Sequence, residues 1–391
     1  MTIRAIVLGC GLVGETMVRD LAADSLFEVT AVDLRREPLE RLASLPRVAV
    51  QTCDLSDADA LRRLVGDFDI VLGALPSRFG FAALRAVIEA GKPYCDISFM
   101  PEDALRLDAL ARQCGVTAVV DCGVSPGLSN LCVGHACTVL DDVDEAIIYV
   151  GGLPKHPQPP FFYKAPFAPA DVIEEYTRPA RVMEDGRVVE KPALSEPETI
   201  AWESVGELEA FLTDGLRTLL KTVRIPNMRE KTLRFPGHAH LMRALREAGL
   251  FGTTLVRVGE VEVIPRELTS RLLFPHWTFE EGEEEFTVMR VLVRGKRNAR
   301  ACRMVYDLYD EFDRASGTRS MARTTAYPCT ITARMIARGQ FRHPGIVPLE
   351  IAARQPGFFD RMVEALQDRG VMLTRRVAEL DEETRDDEKA S

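Results

Sequence analysis

The chain has 391 residues, enough for two domains each burying its own core, and an apolar fraction of 46% with 7% aromatics is that of a folded globular protein rather than a disordered one. Forty-nine basic against 59 acidic residues give a formal net charge of −10, and no basic stripe interrupts it, which argues against a nucleic-acid partner. No apolar run reaches the ~18 residues of a membrane span, and the start passes directly into a strand pattern without the zones of a signal peptide, so the expectation is a cytoplasmic protein with no membrane contact.

The first third alternates β-branched runs with amphipathic runs. Thr2 to Leu8 reads as a buried strand, Leu12 to Ala23 as a helix, Glu28 to Asp33 as a second strand and Val48 to Thr52 as a third. Ser56 is the expected N-cap of a helix over Asp57 to Val65, followed by a strand at Asp69 to Leu72. Phe79 to Ala90 is a helix stopped by Gly91, Pro93 to Ser98 the fifth strand with its exit turn, Glu102 to Cys114 a helix, and Val116 to Val120 the sixth strand. This alternation predicts an α/β fold, a Rossmann-type doubly wound parallel sheet that binds ligands beyond the carboxyl ends of its strands.

Beyond about residue 125 the pattern changes. A helix over Leu128 to Leu140 and a strand over Ala146 to Val150 precede a stretch with six prolines, Gly151 to Pro169, which excludes regular structure across it and reads as a binding loop or a surface connector. Arg181 to Val189 is a hairpin turning on Asp185-Gly186. Strands at Thr232 to Phe235, Leu255 to Val263 and Phe286 to Val293 interleave with helices at His238 to Ala248, Glu267 to Phe274 and Thr330 to Ala337, an α+β domain on a mostly antiparallel sheet. Phe358 to Arg369 is a last helix, and the charged end DEETRDDEKAS is expected to fray. The change of pattern puts the first domain boundary near residue 125.

The motif GCGLVG, Gly9 to Gly14, follows a predicted strand and opens a predicted helix, with Asp33 ending the next strand. Gly9 permits the tight turn, Gly11 lets the backbone approach a pyrophosphate, Gly14 allows helix to pack on strand, and Leu12 and Val13 lie at the helix N-terminus that receives the negative charge. Asp33 would accept from the adenosine ribose hydroxyls and repel a 2′-phosphate, which favours NAD, while Arg35 and Arg36 leave NADP open. The other strand ends are expected to line the same crevice: Asp54 by the adenine, Ala74, Leu75, Pro76 and Ser77 by the middle of the cofactor, and Asp96 with Ser98, or Asp121 with Gly123, by the nicotinamide. Asp96 and Asp121 read equally as turn-forming carboxylates.

His238 and His240 open a helix just after a strand, and a histidine there suits a base or a carboxylate ligand, although one of the two reads better as a structural residue. No H-E-x-x-H spacing occurs, and EEGEEE (Glu280 to Glu285) reads as a solvated loop, so no metal site is expected. The nine cysteines form no CxxC pair and lie mostly in apolar runs, consistent with reduced packing thiols.

The Rossmann half with DCGVSPG at its exit, together with YVGGLP (149–154), EEYTRPA (174–180), LEAFLTDG (208–215), KTLRFPGHA (231–239), MARTTAYP (321–328) and GIVPLE (345–350), resembles the saccharopine dehydrogenase superfamily over nearly the whole chain, and within it the L-lysine 6-dehydrogenases. The resemblance implies a dinucleotide-binding Rossmann domain over 1–125 joined to an α+β substrate and dimerisation domain over 126–344, a C-terminal segment over 345–391 that returns toward the first domain, NAD as oxidant, a homo-oligomer, and oxidative deamination of L-lysine or a close diamino acid at its terminal carbon. It departs at Asp214-Gly215-Leu216, where family members tend toward a Gly-Gly pair. Such chemistry requires a base and groups for the α-carboxylate and α-ammonium. The candidates are His238 or His240 for base or carboxylate ligand, Asp96 or Asp121 for the amine, and Tyr163 and Arg243 for substrate contacts. Reductive condensation of an amine with an aldehyde, as in the saccharopine or carboxynorspermidine branch, and a non-catalytic nucleotide sensor are the alternatives.

Overall fold

A computed structural model describes residues 2–167 and 169–380, so the charged end lies outside the described residues. The described residues divide into two compact units, one comprising 2–135 and 322–373, the other the described residues of 136–321 and 374–380. The chain therefore re-enters the first unit at 322, within the helix Ser320–Ala337, rather than at the expected 345.

The first unit holds β1 (Ile3–Leu8), β2 (Phe27–Asp33), β3 (Val48–Thr52), β4 (Ile70–Gly73), β5 (Tyr94–Asp96) and β6 (Thr117–Val119). They form one parallel sheet in the order β6-β5-β4-β1-β2-β3, with the short strand Gly345–Ile346 added in parallel outside β6. The order reverses between β1 and β4, the switch point at which such sheets open a crevice. The central strands are apolar runs because helices cover both their faces, whereas β3 at the sheet edge is largely exposed; Ile6, Leu8, Val71, Leu84, Val87 and Tyr94 share one core. The helix Leu12–Ala22 buries Gly14, Met17, Val18 and Leu21, an i, i+3, i+4, i+7 stripe. On the same helix Asp20 is gripped by two cations of the returning segment, Arg334 at 2.6 Å and Arg369 at 2.8 Å. Burial opposes ionisation of Asp20, yet these two guanidiniums hold its carboxyl below the ordinary aspartate range.

One capping expectation is corrected. Asp57, not Ser56, caps the helix Ala58–Val65, its Oδ1 accepting from the Asp59 and Ala60 amides, while Ser56 donates to Asp54 at 2.7 Å. The Asx geometry of Asp54-Leu55-Ser56 takes the serine away from the helix.

The second unit is built on β7 (Asp142–Pro154), β8 (Ala180–Glu184), β9 (Arg187–Lys191), β10 (Glu198–Trp202), β11 (Gly206–Leu212), β12 (Asn227–Arg234), β13 (Val256–Val258), β14 (Val261–Val263), β15 (Glu285–Arg297) and β16 (Arg300–Glu311). The main sheet runs β10-β11-β12-β7-β15-β16 and ends on the strand Leu373–Glu379; only the β12–β7 pair is parallel among its central strands. The predicted hairpin at Asp185-Gly186 forms, with both residues at positive φ as its tight turn requires. Three expectations are corrected here. The first four residues of the proline-rich stretch are the end of β7, because Pro154 sits at the last position of the strand and breaks nothing within it. The run Leu255 to Val263 is not one strand but the hairpin β13–β14, folded at Gly259-Glu260. Glu285, assigned from the sequence to a solvated loop, is fully buried at the start of β15.

Candidate active site

The loop between β1 and the first helix is shaped as the glycine motif requires. Gly9 has φ +90°, and a Cβ on Gly14 would overlap the Gly9 carbonyl oxygen, so helix and turn meet at a distance only glycine allows. Gly11, by contrast, has open space where its Cβ would lie, as the approach of a pyrophosphate to the backbone amides would require. Leu12 is exposed and Val13 half-buried at the same helix start, and the N-cap residue Gly11 supplies no side chain of its own to the free amides. These residues fit a dinucleotide.

Asp33, 8% exposed at the end of β2, accepts from the Cys10 amide through Oδ2 and from the Arg35 amide through Oδ1. Arg35 approaches it again through Nε at 3.5 Å, while most of that guanidinium faces solvent. Asp54 lies exposed beyond β3, and its hydrogen bonds from Ser56 lower its pKa. Beyond β4 come Ala74 and Ser77, half-buried, Leu75, buried, and Pro76, exposed; the Ala74 amide donates to the Leu8 carbonyl and so ties this strand end to β1 across the switch point.

At the end of β5 a polar group is buried completely. Asp96 Oδ1 accepts from the Ser98 hydroxyl at 2.7 Å, the Ser98 amide at 3.2 Å and the Tyr94 hydroxyl at 3.2 Å, whereas its Oδ2 has no hydrogen-bond partner. Burial drives the Asp96 pKa up to about 7, against those three donors. Room for the cluster comes from Gly73, where any Cβ would strike both the Tyr94 hydroxyl and the Asp96 carboxyl. The Cys122 amide donates to the Asp96 carbonyl, which joins the cluster to the 121–127 turn. There Asp121 is buried with φ +50°, and Gly123 is buried and bridged to Gly127.

In the second unit the structure brings Tyr163 and His238 together with residues the sequence reading did not single out. Arg234, 2% exposed, lies 4.4 Å over the Tyr163 ring, donates to Glu175 at 2.9 Å, and donates to the Tyr163 and Tyr176 hydroxyls at 3.4 Å. His238 Nδ1 lies 3.0 Å from the Phe161 carbonyl, an acceptor only, so that nitrogen carries the proton and Nε2 accepts from the Tyr176 hydroxyl at 2.8 Å. Burial, and then the Arg234 cation, push the His238 pKa down to about 3. The structure therefore places His238 as a neutral ring with both nitrogens engaged, not as the poised base or carboxylate ligand expected. His240 is exposed on the first turn of the helix His238–Glu247, and Arg243 donates to the Leu194 carbonyl. The sequence signals that could have found this cluster were the charged and aromatic residues packed into EEYTRPA and KTLRFPGHA; a buried arginine is indistinguishable from a surface one by type alone.

Near the same sheet Glu230, 3% exposed, accepts from the Thr213 hydroxyl at 2.6 Å, and burial raises its pKa to about 8. The departure noted at Asp214 has a local cause, since Asp214 forms a two-pronged pair with Arg181, each contact 2.8 Å, and Leu216 is fully buried. Among the described residues no group of three or more His, Cys, Asp or Glu side chains is arranged to hold a metal ion, and no helix is long and apolar enough to cross a membrane.

Residues 5–119 match the family model described as the saccharopine dehydrogenase NADP binding domain, and residues 123–371 match the saccharopine dehydrogenase C-terminal domain. The NADP(+)-dependent, L-glutamate-forming saccharopine dehydrogenase of Schizosaccharomyces pombe is 20% identical over 97% of this chain and 99% of its own length. The carboxyaminopropylagmatine dehydrogenase of Synechocystis is 22% identical over 89% of this chain and 92% of its own length. Among solved structures, apo saccharopine dehydrogenase (L-Glu forming) from Saccharomyces cerevisiae superposes with a TM-score of 0.79 at 17% identity, covering 96% of this chain and 100% of that one. Two of these relatives are named saccharopine dehydrogenases and one a carboxyaminopropylagmatine dehydrogenase, and none of the three carries the lysine 6-dehydrogenase name expected from the sequence.

Proposed function

The chain belongs to the saccharopine dehydrogenase family, an NAD(P)-dependent oxidoreductase family acting on CH–NH donors, and on that premise we propose that it interconverts a secondary amine and its imine, so joining or separating an amino acid and a carbonyl compound. The observation that carries this reading is the unpartnered Asp96 Oδ2 at the end of β5, a buried carboxyl whose pKa of about 7 lets it hold or release a proton as an amine nitrogen loses or gains one. The dinucleotide, when bound, supplies or takes up the hydride. Ser98 and Tyr94 fix the Asp96 carboxyl through Oδ1 and leave Oδ2 for the reacting proton. The glycine turn and Asp33 hold the adenosine half, and the carboxyl of Asp33 at the ribose favours NAD over NADP.

On the second unit, Tyr163 and His238 belong to the cluster around Arg234, and His240 is exposed to solvent. Arg243 and Asp121 are assigned to placing the substrate-binding segments. The working form in this reading is a homo-oligomer acting on a small amino-acid-related substrate.

Oxidative deamination of L-lysine at its terminal carbon is the second reading. It rests on the motifs in which the chain resembles the L-lysine 6-dehydrogenases. One experiment separates the two. The purified protein is given NADH or NADPH with amino acids and 2-oxo acids or aldehydes, singly and in pairs, and separately NAD with L-lysine. Oxidation of the reduced cofactor only when amine and carbonyl are both present supports the first reading. NADH formation from lysine alone supports the second and overturns the first.

A further inference from the structure

Among the buried side chains that the proposed reaction does not use, Glu285 and Thr287 have a feature in common. Both are fully buried, and neither Glu285 Oε2 nor the Thr287 hydroxyl oxygen has a hydrogen-bond partner among the described residues. Polar atoms left dry and unpaired are costly, and a bound ion or water is the usual reason for them. The rest of the acidic run that Glu285 ends is accounted for on the surface, where Glu283 pairs with Lys164, and Glu284 with Lys155 and Arg314.

Strand geometry brings the two oxygens to one place. Glu285 and Thr287 are two residues apart in β15 and so lie on one face, and Asp310 of β16, 5% exposed, stands directly opposite Thr287. Opposed side chains of an antiparallel pair start about 5 Å apart at Cβ, so the Thr287 hydroxyl, the Asp310 carboxyl and the longer Glu285 side chain can converge on one point. Asp310 is close enough for its charge to act on the Glu285 carboxyl. The start of the helix Ser320–Ala337 covers this face: Glu285 Oε1 accepts from the Met321 amide at 3.3 Å, and the Ser320 hydroxyl donates to the Asp310 carbonyl at 2.9 Å. A Cβ on Gly152, opposite Thr287 on β7, would strike the Met321 side chain, which puts that side chain over the same face. With Oε1 committed to the helix, Oε2 is the Glu285 oxygen left for another ligand.

We propose that Glu285 Oε2, the Thr287 hydroxyl and the Asp310 carboxyl together bind an alkali-metal cation. The site is independent of the reaction proposed above. Its ligands are all oxygens, a set that suits a hard cation and not a thiolate- or imidazole-seeking transition metal. The charges select a monovalent ion. Glu285 and Asp310 bring two negative charges, and the cation whose charge also acts on Glu285 is Arg319, anchored 4.5 Å over the Phe279 ring. One added positive charge balances these three, whereas a divalent ion would leave a net positive charge buried. A water molecule would pair with the oxygens but leave the excess negative charge uncompensated. Bound there, the cation joins the start of β15 to β16 and, through Glu285, to the start of the helix Ser320–Ala337.

Thermal unfolding in sodium, potassium and tetramethylammonium chloride at equal ionic strength tests this, at pH 8.5, above the value of about 7 to which burial pushes the Glu285 carboxyl. The wild-type midpoint is expected to be about 2–4 °C higher in an alkali chloride than in the bulky organic salt, and to rise with the alkali concentration. Thr287→Val removes one ligand oxygen at nearly constant volume, and Glu285→Gln removes one charge while keeping an acceptor for the Met321 amide; each is expected to lose the difference between salts. The NMR resonance of the stabilising alkali ion is expected to broaden with the wild type and at least about 10-fold less with either variant. Either variant suffices should the other fail to fold. Equal wild-type midpoints in the three salts overturn the proposal, as they would if the oxygens held water or shared a proton. So does an alkali dependence that a folded variant keeps, which places the ion elsewhere.

Discussion

The Cys10 amide donates to Asp33 Oδ2 at 2.8 Å, joining the turn after β1 to the end of β2 across 23 residues of chain. One oxygen of the carboxyl is thereby committed to shaping the glycine turn, and the other receives the Arg35 amide at 2.9 Å. The carboxyl cannot swing away from an incoming ribose without breaking both bonds. A 2′-phosphate would thus meet a fixed acidic group, and the exposed Arg35 would have to compensate. Asp33→Ser is expected to lower kcat/KM with NAD by about 10- to 100-fold and to shift the NAD to NADP ratio toward NADP by at least as much. Steady-state kinetics with both cofactors measures this, and an unchanged ratio would show that Asp33 serves the turn alone.

Asp96 makes a prediction about rate. Its pKa of about 7, raised by burial, puts an inflection in kcat near neutrality if its proton is the one exchanged with the substrate nitrogen. Asp96→Asn retains an Oδ1 acceptor for Ser98 and Tyr94 and is expected to fold, to lower kcat by about 10²- to 10⁴-fold, and to abolish that inflection. A pH–rate profile of the variant that keeps the inflection assigns it to another group.

Much of the first unit was legible in the residues, because parallel strands buried on both faces read as apolar runs and the glycine turn has a fixed spacing. The strand ends at Ala74 to Ser77 and Asp96 to Ser98 followed from that parse. The second unit was harder for identifiable reasons. Strands β10 and β11, Glu198–Trp202 and Gly206–Leu212, have half their side chains facing water and carry glutamates that weaken a strand pattern. The helix Ser320–Ala337 starts ten residues before the predicted Thr330 and accommodates Pro328 within it. His238 looked like a base because a histidine near a helix start has a useful pKa by default; only the placement of Tyr176, Arg234 and the Phe161 carbonyl around it, 77 residues away at the farthest, decides otherwise.

Glu230 predicts how stability depends on pH. Burial raises its pKa to about 8 in the folded chain from an ordinary value of 4.5. Between those two values the folded state binds a proton the unfolded state has lost, so this residue makes the protein less stable as pH rises from about 4.5 to 8. Glu230→Gln keeps an acceptor for the Thr213 hydroxyl and removes the titration. The variant is expected to match the wild type near pH 5 and to exceed it at pH 8.5 by a few kcal/mol, on the order of 1.4 kcal/mol per pH unit of the window. Urea unfolding at the two pH values provides the comparison, and a difference independent of pH would show that Glu230 does not titrate in this window.

His238 carries the opposite sign. Its folded pKa of about 3 lies below the ordinary 6.5, so above pH 6.5 neither state is protonated and the residue contributes its hydrogen bonds alone. As pH falls from 6.5 toward 3, the unfolded chain takes up a proton that the folded chain refuses, and stability is lost. His238→Asn, which can still donate toward the Phe161 carbonyl but no longer reaches the Tyr176 hydroxyl, is expected to cost about 1–3 kcal/mol at pH 7.5, and the gap to wild type is expected to narrow steadily toward pH 5. A neutral ring with both nitrogens engaged has no proton to trade, so the pH profile of kcat/KM should keep its shape in this variant. Loss of an inflection near 6 to 7 together with a large fall in kcat would instead restore His238 to the role of base.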